Sequence, residues 1–188
     1  MKSTIVSSIT VFCLSCLLLS TSAIARPAAP PLSGDSVKAQ LVRDWERAKV
    51  YTKAYLDAMP EDGVSFKPTP EIRSFAEQML HLSAATIGLV STGTGKAKIY
   101  DGKNLEKSDE FKTKSALTKV VMESYDYAID AVKGLDASKL SETVTMGKNS
   151  VSRLTLINKG FEHQTHHRGQ CTIYLRMKGV APPNEMLF

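Results

Sequence analysis

Cysteine is scarce in this sequence, and this scarcity limits how the fold can be stabilised. The chain of 188 residues contains three cysteines, and two of them, Cys13 and Cys16, lie near the N-terminus. Cleavage after Ala25 would leave only Cys171. A single cysteine excludes an intramolecular disulfide, so the hydrophobic core must stabilise the protein without one.

Patterns typical of strands, repeats and nucleic-acid-binding surfaces are also missing. No segment shows a strong alternation of apolar and polar residues, and no repeat recurs at a fixed spacing. The net charge of +5 comes from lysines and arginines interleaved with acidic residues, without a basic stripe or interleaved aromatics. This distribution is typical of a solvated surface, and we expect no nucleic-acid partner.

The first 25 residues predict a secretory signal peptide. Lys2 is their only charged residue, an apolar stretch covers residues 11–19, and Ala23-Ile24-Ala25 provides a small-x-small cleavage site. An uncleaved membrane anchor is the alternative, but the apolar stretch is short and interrupted by serine. We therefore expect a periplasmic or secreted protein without stable membrane insertion after cleavage.

The rest of the chain predicts a single domain. Residues 26–35 form a Pro-rich leader, and residues 36–188 have the length and the apolar content of one globular domain. Four amphipathic segments predict helices at about 36–59, 69–91, 108–134 and 150–178. Asp35 or Ser36 is the expected N-cap of the first helix and Thr69 that of the second, with Pro70 in its first turn. The expected fold class is an all-α four-helix bundle.

Three of the four histidines lie within five residues, in the segment FEHQTHHRGQ at 161–170. His163 and His167 are four residues apart on the fourth predicted helix, so their side chains differ by about 40° around its axis and can converge on one ion. His166 points to the other side of His163. An HxxxH pattern alone is weak evidence, because such spacings arise often by chance.

The remaining histidine, His81, lies in a largely apolar part of the second helix. It could be a core histidine whose ring is satisfied by a hydrogen bond. Alternatively, one histidine from the second helix and two from the fourth would make a three-histidine metal site with open positions for water or substrate.

Several neighbours of the histidines allow two interpretations each. Small or polar residues on the His81 face of the helix could leave a cavity beside a metal or could permit close helix packing: Ser74, Gln78, Ala84, Ala85 and Gly88. Cys171, one turn after His167, is expected to be a buried structural thiol. Arg168 and Gln170 are expected to form hydrogen bonds with neighbouring helices and not to be catalytic.

Two segments resemble the DinB/YfiT-like superfamily. They are PEDGVSFKPTPEIRSFAEQMLHLSAA at 60–85 and HQTHHRGQCTIYLRMKGVAPP at 163–183, and the resemblance extends over residues 37–183. It implies a four-helix bundle, often a homodimer, with a divalent metal ion bound by three histidines. By position these ligands are His81, His163 and His167, and zinc or nickel is the usual ion. His166 would support the site or the fold.

The function that we expect is that of an exported metal-dependent enzyme, a hydrolase or a transferase, acting on a small molecule. Members of the resembled superfamily include transferases and isomerases that use low-molecular-weight thiols, but those thiols are cytosolic, so export disfavours this reaction. The sequence spacing places no carboxylate as a general base. A non-catalytic metal-binding or stress-response protein is the alternative, and a bundle without metal is a third hypothesis.

Overall fold

Four long helices account for most of the residues that the computed structural model describes, 32–188. They are α1 (Gly34–Ala58), α2 (Phe75–Thr94), α3 (Lys114–Gly134) and α4 (Arg153–Met177), and a hairpin of β1 (Thr143–Met146) and β2 (Asn149–Ser152) precedes α4. The expected all-α four-helix bundle is confirmed. The predicted signal peptide, 1–25, and residues 26–31 of the predicted leader lie outside the described residues. Within 32–188, no helix combines the length and the hydropathy needed to cross a membrane.

The close approach of α2 and α4 organises the bundle. A Cβ added to Gly93 on α2 would lie 3.1 Å from Ile157 Cγ1, and one added to Gly160 on α4 would lie 3.4 Å from Val90 Cγ2. The two helices are antiparallel, because the start of α4 contacts the end of α2. The helix α2 also packs on α3, and α1 packs on α3 and α4.

The predicted start of α2 at Thr69 is wrong, and the helix begins at Phe75 with Ser74 as its N-cap. The Ser74 hydroxyl accepts from the Glu77 N–H at 3.2 Å, and the Glu77 carboxylate accepts from the Ser74 N–H at 2.8 Å. The Phe75 N–H donates to the Phe66 carbonyl at 3.0 Å and so holds the preceding residues in turns. This reciprocal capping box satisfies two N–H groups and outweighs the earlier Thr-Pro signal.

The other helices also begin at residues that differ from the predicted ones. The N-caps are Ser33 for α1, Thr113 for α3 and Ser152 for α4, and each side chain accepts a backbone N–H at 3.1 to 3.3 Å. Residues 105–111 form two short 3-10 turns, so α3 begins six residues later than expected. Residue 150 lies in β2 and therefore cannot start α4.

The hairpin corrects the expectation that the chain contains no strands. Its strands are four residues long and mostly exposed, so residues 143–152 resemble a polar connector in sequence. Met146 pairs with Asn149 across a two-residue turn in which Gly147 has a φ of +61°. Glycine at the first central position is what a type II′ hairpin turn requires.

Aromatic packing fills the centre of the bundle. Trp45 of α1 is fully buried and packs edge-to-face against Tyr125 of α3 (5.9 Å between ring centroids) and Phe161 of α4 (5.4 Å). Such pairs add about 0.5–1.5 kcal/mol to the contribution of their buried area. These contacts join three helices at one level of the core.

A buried polar network lies beside this aromatic cluster. The Tyr125 hydroxyl lies 2.7 Å from Thr52 Oγ1 and donates to Gln164 Oε1 at 2.8 Å. Arg168 donates to the same Gln164 oxygen at 2.8 Å, and its guanidinium lies 4.4 Å from the centroid of the Tyr51 ring. Arg168 Nη1 also lies 3.4 Å from Thr52 Oγ1, so Arg168 contacts α1 as well as Gln164 of its own helix. The network ties α1, α3 and α4 together, and burial raises the pKa of Tyr125 to about 12.

We expect Tyr125→Phe to lower the free energy of unfolding by about 1–2 kcal/mol, because the Thr52 hydroxyl is left buried without this partner. Urea denaturation followed by circular dichroism measures the change. Tyr127→Phe is the matched control: its hydroxyl donates to the Lys96 carbonyl at 2.9 Å nearer the surface, and its loss should cost less. Equal effects of the two substitutions would contradict a special role for the network.

Candidate metal centre

His81 of α2 meets His163 and His167 of α4, although the two helices are far apart in the sequence. One ring nitrogen from each of His81, His163 and His167 lies within 4.8 Å of those of the other two. The Nε2 atoms of His163 and His167 are 3.1 Å apart, and the ring centroid of His81 lies 5.2 Å from that of His163 and 4.6 Å from that of His167. The structure therefore brings together the three residues that the resemblance identifies.

The spacing fits a metal ion. Imidazole nitrogens lie about 2.0–2.1 Å from zinc, so two ligands of one ion are separated by about 3.0–3.4 Å. The 3.1 Å between His163 and His167 falls within this range. His167 is buried, with 7% of its surface exposed, while His81 and His163 are partly buried. The cluster could thus hold a metal ion that remains open to the solvent on one side.

Glu106 orients the His81 ring. Its Oε1 lies 2.7 Å from His81 Nδ1, and its Oε2 accepts from Arg73 Nε at 2.8 Å. A carboxylate can only accept here, so His81 carries its hydrogen on Nδ1 and its Nε2 lone pair is available to the cluster. Burial raises the pKa of Glu106, but the hydrogen bonds from Arg73 and His81 outweigh burial and lower it overall.

Two glutamine side chains surround His167 in a similar way. Its Nδ1 lies 2.9 Å from Gln170 Oε1 and 2.9 Å from Gln78 Nε2. Gln78 Nε2 donates to the Gln170 oxygen, and the same oxygen accepts from His167 Nδ1 in the tautomer whose Nε2 lone pair points towards His163. The Nε2 lone pairs of His81 and His167 are then both available to the cluster, and such a set of donors suits a cation.

Two histidines of the cluster, His163 and His167, are held in the neutral form that binds metals. Burial lowers the pKa of His167 to about 4, and the neighbouring His163 and His81 add to this effect. The pKa of His163 is also lowered, first by burial and then by His81, His166 and Arg73. A neutral ring keeps a free lone pair at pH 7, so no proton has to leave before an ion binds.

Two grooves reach the cluster from opposite sides of His166, whose ring is exposed and lies outside the three-histidine group. The first, about 950 Å³, lies between α2, the hairpin and α4, and His163 and His166 line it. The second, about 850 Å³, lies between residues 68–73 and α4, and His166 and His167 line it. His166 therefore stands at the boundary of both grooves.

The residues that lie near the histidines in the sequence occupy different parts of the structure. Ala84 and Gly88 line a separate cavity of about 200 Å³, and none of the three histidines lines it. Cys171 is fully buried and burial raises its pKa, as expected of a structural thiol. Arg168 belongs to the core network, and Gln170 contacts His167 directly.

The family of the chain follows from its match to a family sequence model. The model of the DinB family matches residues 34–186, which include all four helices and the three clustered histidines. The chain belongs to the DinB family. This membership agrees with the resemblance seen in the two sequence segments.

Solved DinB-like structures share the fold. A DinB-like protein from Bacillus cereus is 17% identical with a TM-score of 0.68, and the match covers 78% of this chain and 96% of that one. A DinB-like protein from Bacillus subtilis is 16% identical with a TM-score of 0.60, covering 79% of this chain and 96% of that one. At these identities the likeness concerns the fold alone. No curated protein matches the chain.

Within this DinB-family chain, Glu106 is the site residue that sequence reasoning missed. It lies 25 residues after His81, in the 3-10 turn Leu105–Lys107, where neither helical nor strand periodicity applies. Charged residues follow it at 107, 109 and 110, so Glu106 resembles a surface residue in the sequence. Only the folding of this loop against the start of α2 reveals its role.

We expect His167 in the metal-free protein to titrate with a midpoint near 4, well below that of an unstructured histidine. The unfolded chain then binds this proton first, so the metal-free protein should lose stability as the pH falls from about 6.5 to about 4. An NMR titration of the His167 ring protons in the presence of a chelator measures the midpoint. A value at or above 6.5 would contradict the buried, neutral ring.

Proposed function

We propose that this DinB-family protein is exported and binds one divalent ion, zinc or nickel, through His81, His163 and His167. We further propose that it uses the ion as a hydrolase or a transferase acting on a small molecule. The observation that carries the proposal is the cluster itself: three ring nitrogens lie within 4.8 Å, and oxygen acceptors hold Nδ1 of His81 and His167. Three imidazoles suit either ion, so these ligands do not select between zinc and nickel.

Different residues of the chain would have different roles around the proposed ion. When bound, the ion would supply Lewis acidity to an oxygen or sulfur atom of the substrate. Three neutral ligands leave the charge of the ion undiminished, and Glu106 and Gln170 fix the rings of His81 and His167. His166 offers a proton donor or acceptor at the boundary of the two grooves.

The two grooves favour an enzyme over a protein that only stores or senses metal. Both grooves reach the cluster, so substrate has access to the proposed ion from two sides. A closed structural site would instead surround the ion with four protein ligands. Transfer between two substrates and hydrolysis of one are both compatible with this access. The predicted export disfavours a cytosolic thiol as one of these substrates.

The first test of the proposal is the metal content of the protein. The full chain, purified without a histidine tag, should contain about one equivalent of zinc or nickel by mass spectrometry. His81→Ala and His163→Ala should lose it, because two imidazoles bind an ion far more weakly than three. His166→Ala is the control and should retain the metal. Absence of metal from the wild-type protein after reconstitution would overturn the proposal.

A second prediction concerns Glu106. Glu106→Gln should weaken metal binding roughly tenfold or more, because the neutral amide holds the His81 ring less firmly and makes it a poorer ligand. Competition with a chromophoric chelator measures the affinity. Glu110→Gln is the matched control, since Glu110 lies on the same loop and pairs with Lys103 at 3.0 Å. If both variants bind metal as tightly as the wild type, Glu106 has no positioning role.

A further inference from the structure

The groove between α2, the hairpin and α4, which we name the hairpin groove, has an apolar lining. Leu89 of α2, Met146 and Val151 of the hairpin and Leu156 of α4 form its walls. One part of it reaches His163, the first histidine of the HxxxH pair. The hairpin groove therefore joins an apolar hollow to the proposed metal centre.

Three of these four side chains remain accessible in the described part of the chain, and only Leu156 is buried. Met146 is 37% exposed, and Leu89 and Val151 are partly buried. Scattered apolar residues are common on protein surfaces, but a contiguous apolar hollow is typical of a binding site. A volume of about 950 Å³ is in the range of sites for small molecules.

The charges near the groove compensate each other. Lys159 and Glu162 line it, and they form an ion pair at 2.5 Å on the exposed face of α4. Their opposite charges offset each other, so this pair gives the groove no net charge that would select a phosphate or another highly charged ligand. The second groove differs, because its lining includes Arg73, Glu71 and two glutamines.

We propose that the hairpin groove binds the apolar chain of the substrate and directs its polar head to the three-histidine cluster. The substrate class is an acyl compound with a linear apolar chain and an oxygen-bearing head group. This inference rests on the proposed metal centre, since the head group needs an ion to bind. The groove wall, and not the ion, then selects the substrate by chain length.

Alkyl hydroxamates test this inference, because their head group chelates metal ions and their chain length can be varied. Acetohydroxamate, butanohydroxamate and octanohydroxamate are titrated into the metal-loaded full chain, and calorimetry measures the dissociation constants. Each methylene that enters an apolar groove should strengthen binding about two- to fourfold. Octanohydroxamate, with six more methylenes than acetohydroxamate, should bind at least about fiftyfold more tightly.

Met146→Asp places a carboxylate in the groove wall and should weaken octanohydroxamate binding about tenfold or more, with less effect on acetohydroxamate. Met177→Asp is the matched control: Met177 is also an exposed methionine, at the end of α4 and outside the groove lining. It should leave the affinities for both ligands unchanged. Met146 is exposed on a hairpin outside the core, so circular dichroism should show that this variant folds.

The possible failures can be distinguished. If the protein binds no metal and no hydroxamate, the proposed function fails and the inference fails with it. If the metal binds and all three hydroxamates bind equally, the metal centre stands and the groove proposal is overturned. If chain length has no effect and sedimentation shows a wild-type dimer that Met146→Asp dissociates, the groove is an interface between two copies, which also overturns the proposal.

Discussion

The close antiparallel contact of α2 and α4 is the constraint on which the rest of the structure depends. Gly93 allows the two backbones to approach, since a Cβ there would lie 3.1 Å from Ile157 Cγ1 and 3.2 Å from the Arg153 carbonyl oxygen. His81 then faces His163 and His167 across the same contact. A larger separation of the helices would keep the fold but would move the ring nitrogens beyond the reach of one ion.

The helix α4 has two polar faces with different partners. Gln164 and Arg168 point into the core, where they bond to Thr52 and Tyr125, while His163 and His167 point towards α2. The core network holds α4 against α1 and α3, and this limits how far the helix can rotate. The positions of the histidines are therefore supported in two ways. Buried hydrogen bonds hold α4 in the core, and Glu106 and Gln170 hold the rings of His81 and His167.

Periodic features were predictable from the sequence, and features that depend on distant contacts were not. Helical spacing predicted the bundle, and the i, i+4 relation predicted that His163 and His167 converge. The start of α2 was misplaced because Thr69-Pro70 resembles a helix start, whereas the Ser74–Glu77 capping box and the Phe66–Phe75 bond decide the boundary. Glu106 and the hairpin escaped prediction because a short turn or strand carries too few residues to show a period.

The hairpin lies outside the aromatic core, pairs with no other strand in the described residues and turns within two residues at Gly147. The histidines, by contrast, lie on core helices. Substitutions in residues 143–151, which leave the α4 N-cap Ser152 intact, can therefore reshape one wall of the hairpin groove while the helices and the cluster keep their positions. The wall that shapes the groove is thus built separately from the helices that position the histidines, so that one can change without the other.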